Sequence, residues 1–269
     1  MNFDIIVIGS GMAGLPCAIK AAERKKSVLL VNKNKEIGGK LFQSTGQIAA
    51  AGSNLQKRKK ILDDSDLHLK EAWNICKASA ELKLLRLAID NAAGTVNWLE
   101  DIGVTFPENH PVITYQHDIY STRRYQWPKG NGIEILEKFK FLIEKYIASN
   151  NITLLNETLF SNFIFDESNE IIGVKLLNKK NDILKMKSRK IVLTSGGYTN
   201  NEEMFKKFSP TASLYTPKFK GSYGLVHEIA LKNNIKIDGG NLYLGMLGGV
   251  LKDPNDKHSV KIAINTIPQ

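Results

Sequence analysis

Gly9, Gly11 and Gly14 stand at the spacing G-x-G-x-x-G, within Gly9-Ser10-Gly11-Met12-Ala13-Gly14. Ahead of them runs Phe3-Asp4-Ile5-Ile6-Val7-Ile8, whose length and β-branched content predict a buried parallel strand. From Met12 to about Lys25, Ala13, Cys17, Ala18, Ala21 and Ala22 recur at three- and four-residue steps, which predicts a helical face. A second apolar run, Ser27–Val31, predicts another strand. A glycine turn between strand and helix can hold a diphosphate. Gly9 permits the tight turn, Gly11 lets the backbone approach the pyrophosphate, and Gly14 lets helix pack on strand. The first-turn N–H groups and the helix dipole favour the anion. Without a ligand the same residues would be only a glycine-punctuated turn, but the strand–helix–strand order favours a dinucleotide site, with Ser10, Met12 and Ala13 completing the predicted contacts.

Asn32 and Lys33 follow the second strand, where such folds usually set an acid against the ribose hydroxyls. Asparagine can donate to and accept from a hydroxyl but gives up the charge-assisted bond, so a weaker grip on adenosine is expected. Gly38, Gly39 and Lys40 come next, then Ser44, Thr45, Gly46 and Gln47 ahead of Ile48-Ala49-Ala50-Ala51. A nicotinamide enzyme has no need of a second glycine pair at this point. A flavin enzyme does, because the loop must wrap the far phosphate and ribityl chain and then meet the isoalloxazine. A long aperiodic segment such as Asn32–Ala51 is more often functional than idle.

These residues carry a resemblance. VIGSGMAGLPCAIKAAERKKSVLLVNKNKEIGGK resembles the opening of the two-dinucleotide-binding-domain flavoproteins. STGQIAAAGSNLQ, with Ile61 and Asp63-Asp64-Ser65 after it, is similar to one branch of them. That branch holds soluble fumarate reductases, succinate dehydrogenase flavoproteins, urocanate reductases and 3-oxosteroid 1-dehydrogenases. KIVLTSGG at Lys190–Gly197 resembles the branch's strand ending in A-T-G-G, with Thr194-Ser195 in place of Ala-Thr. Gly221-Ser222-Tyr223-Gly224 resembles its G-S-T-G-D-G turn without the aspartate, and Arg123-Arg124-Tyr125 through Gly132 its R-x-x-x-P-x-G-G segment. The resemblance implies bound FAD and an oxidoreductase acting on a C–C or C=C bond beside a carbonyl or carboxylate, with hydride passing through flavin N5. It places Ser195, Gly196 and Gly197 around the ADP half, and Gly39, Lys40 and Ser44–Gln47 at the ribityl chain and flavin. Members that bind flavin covalently use a histidine in this loop. Lys40 stands there, so noncovalent FAD is expected.

The sequence also departs from the family. Members are much longer, and their C-terminal part supplies an arginine acid, a histidine and arginine for substrate, and a G-E-x-x-G-G stretch. None of these is found, so the chain reads as C-terminally truncated, its catalytic residues unknown. In place of the Q-x-H-P stretch of fumarate reductases stands the apolar Tyr243–Gly248, which weakens fumarate as a substrate and leaves an apolar one open. Three readings remain: an enzyme whose remainder comes from a second chain, an FAD-binding module without activity of its own, and a degenerate fragment.

The elements needed to position these groups are legible in outline. Amphipathic helices are predicted at about 64–77, capped by Ser65 or Asp66, and at 81–101, stopped by Gly103. Residues 104–130 read as irregular, and Gly132–Ser149 as helical. The period then becomes two. Thr153–Leu155, Leu159–Phe165, Ile171–Leu177 and Ile183–Lys187 predict an antiparallel meander, and Lys190–Thr194 a last buried strand. Helices follow at about 201–208 and 222–233. The expected fold is α/β: a Rossmann-like FAD-binding domain over 1–234, of parallel sheet, helices and β-meander. Residues 235–269 would begin a substrate-capping domain.

Composition narrows the class further. The 269 residues are 42% hydrophobic and 24% charged, ordinary for a globular chain. Lys plus Arg is 37 and Asp plus Glu 27, a net charge of +10, yet the basic residues are spread rather than patched, so no nucleic-acid partner is expected. Lys57-Arg58-Lys59-Lys60 reads as a solvated charge run. Two distant cysteines, Cys17 and Cys76, suit a reducing, cytoplasmic compartment and argue against a metal site. No apolar run approaches the ~20 residues that span a bilayer. A small-molecule substrate is the expected partner. His110 and His117, near Arg123 and Arg124, could meet a substrate anion but read more simply as surface residues. Tyr115, Tyr120, Tyr125 and Trp127 read as packing, His68, His227 and His258 as structural or solvated, and Ser44 has no partners for a nucleophile's role.

Overall fold

The strand, glycine turn, helix and strand at the N-terminus all form, and the rest of the chain builds around them. In the computed structural model the elements are, in order, β1 (Ile5–Ile8), α1 (Gly14–Glu23), β2 (Val28–Val31), a 3-10 turn (Leu41–Gln43), β3 (Ile48–Ala49), α2 (Asn54–Arg58), α3 (Ser65–Ile75) and α4 (Leu82–Asp101). Then come β4 (Tyr125–Gln126), α5 (Asn131–Ala148), β5 (Ile152–Leu155), β6 (Leu159–Phe165), β7 (Ile171–Leu177), β8 (Ile183–Lys187), β9 (Ile191–Leu193), α6 (Glu202–Phe208), α7 (Leu225–Lys232), β10 (Gly249–Leu251) and β11 (Val260–Ile262). The structure describes residues 2–114, 119–188, 190–210, 221–240, 249–251, 253, 255 and 260–262. Tyr115, His117, Tyr243–Gly248 and His258 therefore lie outside the described residues. Two compact units emerge: Met1–Gly39 with Leu142–Thr266, and one built on Lys40–Phe141.

The first unit is organised by a parallel sheet in the order β5-β2-β1-β9. Ile6, Leu29 and Ile191 lie side by side in register, and Val28 faces Ile152. β1 and β2 are buried along nearly their whole length, as strands covered on both faces must be. On one face Ile6, Ile8, Leu29 and Val31 pack against Phe160, Phe163, Val174 and Leu176 of the β6-β7-β8 meander and Val226 and Ile229 of α7. α1 packs on β1 and β2. β10 and β11 pair antiparallel as a separate two-stranded sheet.

One predicted strand changes partners. β5, expected in the antiparallel meander, pairs parallel with β2 instead. The reason is the long helix before it: a strand reached through a helical crossover returns parallel. β9 is also less buried than expected, with Leu193 41% exposed.

The second unit holds the 3-10 turn, β3 paired antiparallel with β4, and the helices α2, α3 and α4. α3 is capped by Asp64, whose side chain accepts from Leu67 N–H at 2.8 Å, rather than by Ser65 or Asp66. Gly103, at φ +88°, ends α4 as expected. Trp98 of α4 stacks on Phe139 at 5.5 Å between ring centroids.

Candidate functional site

The sheet order reverses at β1, so the carboxyl ends of β1 and β9 form the switch point at which open α/β sheets bind ligands. Both glycine motifs end there. Gly9 sits at φ +113°, and a Cβ on it would fall 2.5 Å from the Thr194 carbonyl oxygen. A Cβ on Gly14 would fall 1.8 Å from the Gly9 carbonyl oxygen. These two glycines are demanded by the protein's own packing. Gly11 is different: its Cβ would meet only Gly39 Cα, at 4.0 Å, and its φ lies outside the left-handed region. The chain leaves open the space that a side chain at Gly11 would fill, which is the cradle a pyrophosphate requires.

Thr194 is a support that the sequence reading did not single out. Its N–H donates to the Ile8 carbonyl at 2.8 Å, and its hydroxyl lies 2.8 Å from the Gly9 carbonyl and 3.0 Å from that of Ile8. The signal was available, since a hydroxyl stands where the family has alanine. Gly38 N–H donates to the Ser10 carbonyl at 2.8 Å, which lays the second glycine pair against the first. No side chain caps α1 and its first turn holds no acid, so an anion meets no competitor there. Gly197 has open space at its Cβ position, and its carbonyl accepts from Gly224 N–H at 3.2 Å. Asn200 Nδ2 donates to the Gly221 carbonyl at 2.6 Å. The predicted residues 9–14, 38–39 and 195–197, together with the Gly221–Gly224 turn, are thus brought together within the first unit.

Asn32 is buried and internally engaged. Its amide donates to the Asn34 carbonyl and to Asn156 Oδ1, both at 2.8 Å, and its Oδ1 accepts from Asn34 N–H at 3.3 Å. Lys33 is exposed, its ammonium 5.5 Å from the centre of the Tyr223 ring. Burial pushes the Cys17 thiol up, away from thiolate chemistry.

In the second unit Ser44 closes a turn, its hydroxyl accepting from Gly46 N–H at 3.0 Å. Its carbonyl accepts from Gly132 N–H at 2.8 Å. Gly46 packs against Ile135 and Pro128, Thr45 is exposed, and Gln47 is half-buried. Lys40 is exposed as well, and partial desolvation pulls its pKa below the usual lysine range.

Arg124 proves to be the largest fully buried side chain of the described residues rather than a free cation. It forks onto Asp63, with Nε and Nη2 each 2.7 Å from a carboxylate oxygen, and Nη1 donates to Glu71. Burial would raise the Glu71 carboxyl, but hydrogen bonds from Ser121 and Arg124 outweigh it and hold the pKa below the usual range. His110 is buried edge-on against Trp127 at 4.1 Å, rather than at the surface. Burial, and then Lys59, lower its pKa, which disfavours the imidazolium that an anion would want. His68 is also buried, against Tyr120, and burial and Arg124 push its pKa down to about 4. Tyr120 stacks on Tyr125, as packing. Among the described residues no group of three His, Cys, Asp or Glu could hold a metal ion, and no helix is long and apolar enough to cross a membrane.

Comparison with known proteins agrees with this geometry. The family model for the FAD binding domain matches residues 4–248, and the chain belongs to that family. It is 28% identical over 83% of its length to an NADH:fumarate oxidoreductase of Klebsiella pneumoniae (strain 342), of which it covers 24%. It is 27% identical over 95% of its length to a vinyl phenol reductase of Lactiplantibacillus plantarum (strain ATCC BAA-793 / NCIMB 8826 / WCFS1), of which it covers 50%. Its fold matches that of a flavocytochrome c3 fumarate reductase in its open conformation, with a TM-score of 0.75 at 21% identity, over 86% of this chain and 40% of that one. The chain thus spans half or less of the length of these relatives. The cofactor of this family is FAD.

Proposed function

We propose that this chain is the FAD-binding part of an oxidoreductase acting on a C–C or C=C bond next to a carbonyl or carboxylate. The observation that carries the reading is the open Gly11 cradle at the switch point of the sheet, in a chain of the FAD binding domain family. FAD, when bound, supplies a hydride donor or acceptor at flavin N5. Residues 9–14 hold the pyrophosphate against the uncapped start of α1, and Ser195, Gly196 and Gly197 close around the ADP half. Asn32 fixes the loop after β2, and through it places Lys33 beside the adenosine ribose. Gly38 and Gly39 lead into Lys40 and Ser44–Gln47, which hold the ribityl chain and isoalloxazine. The cofactor is noncovalent, since Lys40 stands where covalent members carry histidine. No residue is assigned as catalytic acid or base.

Residues 1–234 form the FAD-binding domain, because the parallel sheet, the meander and α7 all lie within them. Residues 235–269 begin a capping domain. The substrate is a small molecule, and reductases are what the named relatives are. In the split-enzyme reading, a second chain supplies the catalytic remainder. The sparse free cysteines suit the cytoplasm, and the spread of basic charge offers no nucleic-acid surface. Read instead as a module, the chain binds FAD and has no activity on its own, which its 24–50% coverage of the two relatives also fits.

The deciding experiment is the visible absorption spectrum of the chain, purified alone and desalted. A flavin band near one per chain is expected, and Gly11→Val should abolish it while leaving the fold intact. A folded, colourless wild type would overturn the assignment of a sufficient FAD site. Coexpression with the adjacent downstream reading frame separates enzyme from module: a gain in dye reduction supports the first, and its absence the second.

A further inference from the structure

We infer that Arg124 is a positioning residue for the loop carrying the flavin-side contacts, an inference that rests on the FAD reading above. The loop from Ser44 to Gly52 has little secondary structure of its own, since β3 is two residues long. Its backbone is held instead by a buried polar network in the same unit. The Arg124 carbonyl accepts from Ala50 N–H at 3.0 Å. Gln126 Nε2 donates to the Ile48 carbonyl at 2.8 Å, and Gln56 Oε1 accepts from Gly52 N–H at 2.6 Å. Gln56 Nε2 in turn donates to Asp63 at 2.8 Å and to the Arg123 carbonyl at 2.9 Å.

The Arg124 guanidinium ties these supports into one body. Its fork fills both oxygens of Asp63, which fixes the carboxylate that Gln56 leans on, and its third nitrogen reaches Glu71 on α3. The side chains of Arg124 and Asp63 are fully buried, as is Gln56. A buried ion pair is weak evidence for net stability, so the hydrogen bonds it organises carry the argument here. A planar fork aligns two oxygens at once, which lysine cannot do. Arg124 therefore sets the register of residues 48–52, and through them the aim of Ser44–Gln47.

The test uses the whole chain and two ligands. ADP probes only the contacts assigned to residues 9–14 and 195–197, whereas FAD also probes the loop. Wild type, Arg124→Lys and the gentler, near-isosteric Gln56→Met are compared by titration with each. The expected result is unchanged ADP affinity in both variants and FAD affinity weakened about ten-fold or more, the loss of one hydrogen bond to a charged group. The bound flavin's vibronic structure near its visible maximum should blur in parallel. ADP and FAD affinities that fall together, or an FAD affinity that stays put in Gln56→Met, would overturn the positioning role. A wild type that binds neither ligand removes the FAD reading itself, and this inference with it.

Discussion

At the residue scale, the three glycines of the fingerprint divide by what they serve. Gly14→Ala must push aside the Gly9 carbonyl, 1.8 Å from the new carbon, so a stability loss of about 1–3 kcal/mol is expected in urea unfolding. Gly11→Ala should unfold at nearly the wild-type urea concentration and yet bind flavin poorly. Sequence spacing named all three but could not tell them apart, because the difference lies in what each Cβ would touch. His68 carries a second prediction. Its folded pKa of about 4 lies below the ordinary histidine value of about 6.5, so the unfolded chain binds a proton in that window and the folded chain does not. Stability should therefore drop by about 3 kcal/mol from this residue as pH falls from 6.5 to 4, and His68→Leu should lose less over the same range. Denaturation midpoints of both proteins at pH 7 and pH 4.5 check it. Neither the burial of His68 nor that of Arg124 was legible: a histidine or arginine in sequence looks the same whether solvated or buried, and only the carboxylates from α3 and the loop before it reveal the difference.

At the element scale, elements with many repeats of their period were readable and short ones were not. α4 and α5 span 20 and 18 residues, enough turns to display an apolar stripe. β3 and β4 have two residues each, too few to show alternation, and α2 is five residues long. β5 is legible as a strand but its sheet is not, because four residues reveal a strand without revealing its neighbour. α2 depends on its cap: the buried Ser53 hydroxyl accepts from Gln56 N–H at 3.3 Å. Ser53→Ala should cost about 1 kcal/mol by thermal or urea unfolding. Since Gln56 holds Gly52, the same variant should raise amide exchange at Gly52, whereas Leu30 in the parallel sheet should keep its protection.

At the scale of the whole molecule, ligand and fold are linked by mass action. FAD at a hundred times its dissociation constant should add about 2.7 kcal/mol to stability, read as a rise in melting temperature that grows with FAD and is absent in Gly11→Val. Family membership was legible from the motifs strung along residues 4–248, because a nucleotide site is written in short local turns. The substrate was not, because none of those motifs carries a group that would recognise one. The division among the glycines also bears on how such a chain would age. A lineage that had stopped carrying a cofactor would still be kept to glycine at 9 and 14 by its own sheet and helix, generation after generation. Position 11 would be released, and with room for a methyl group and no unusual backbone to defend, it would be among the first to drift. Glycine stands at 11 in this chain, and that one site is where continued use of a cofactor would be recorded.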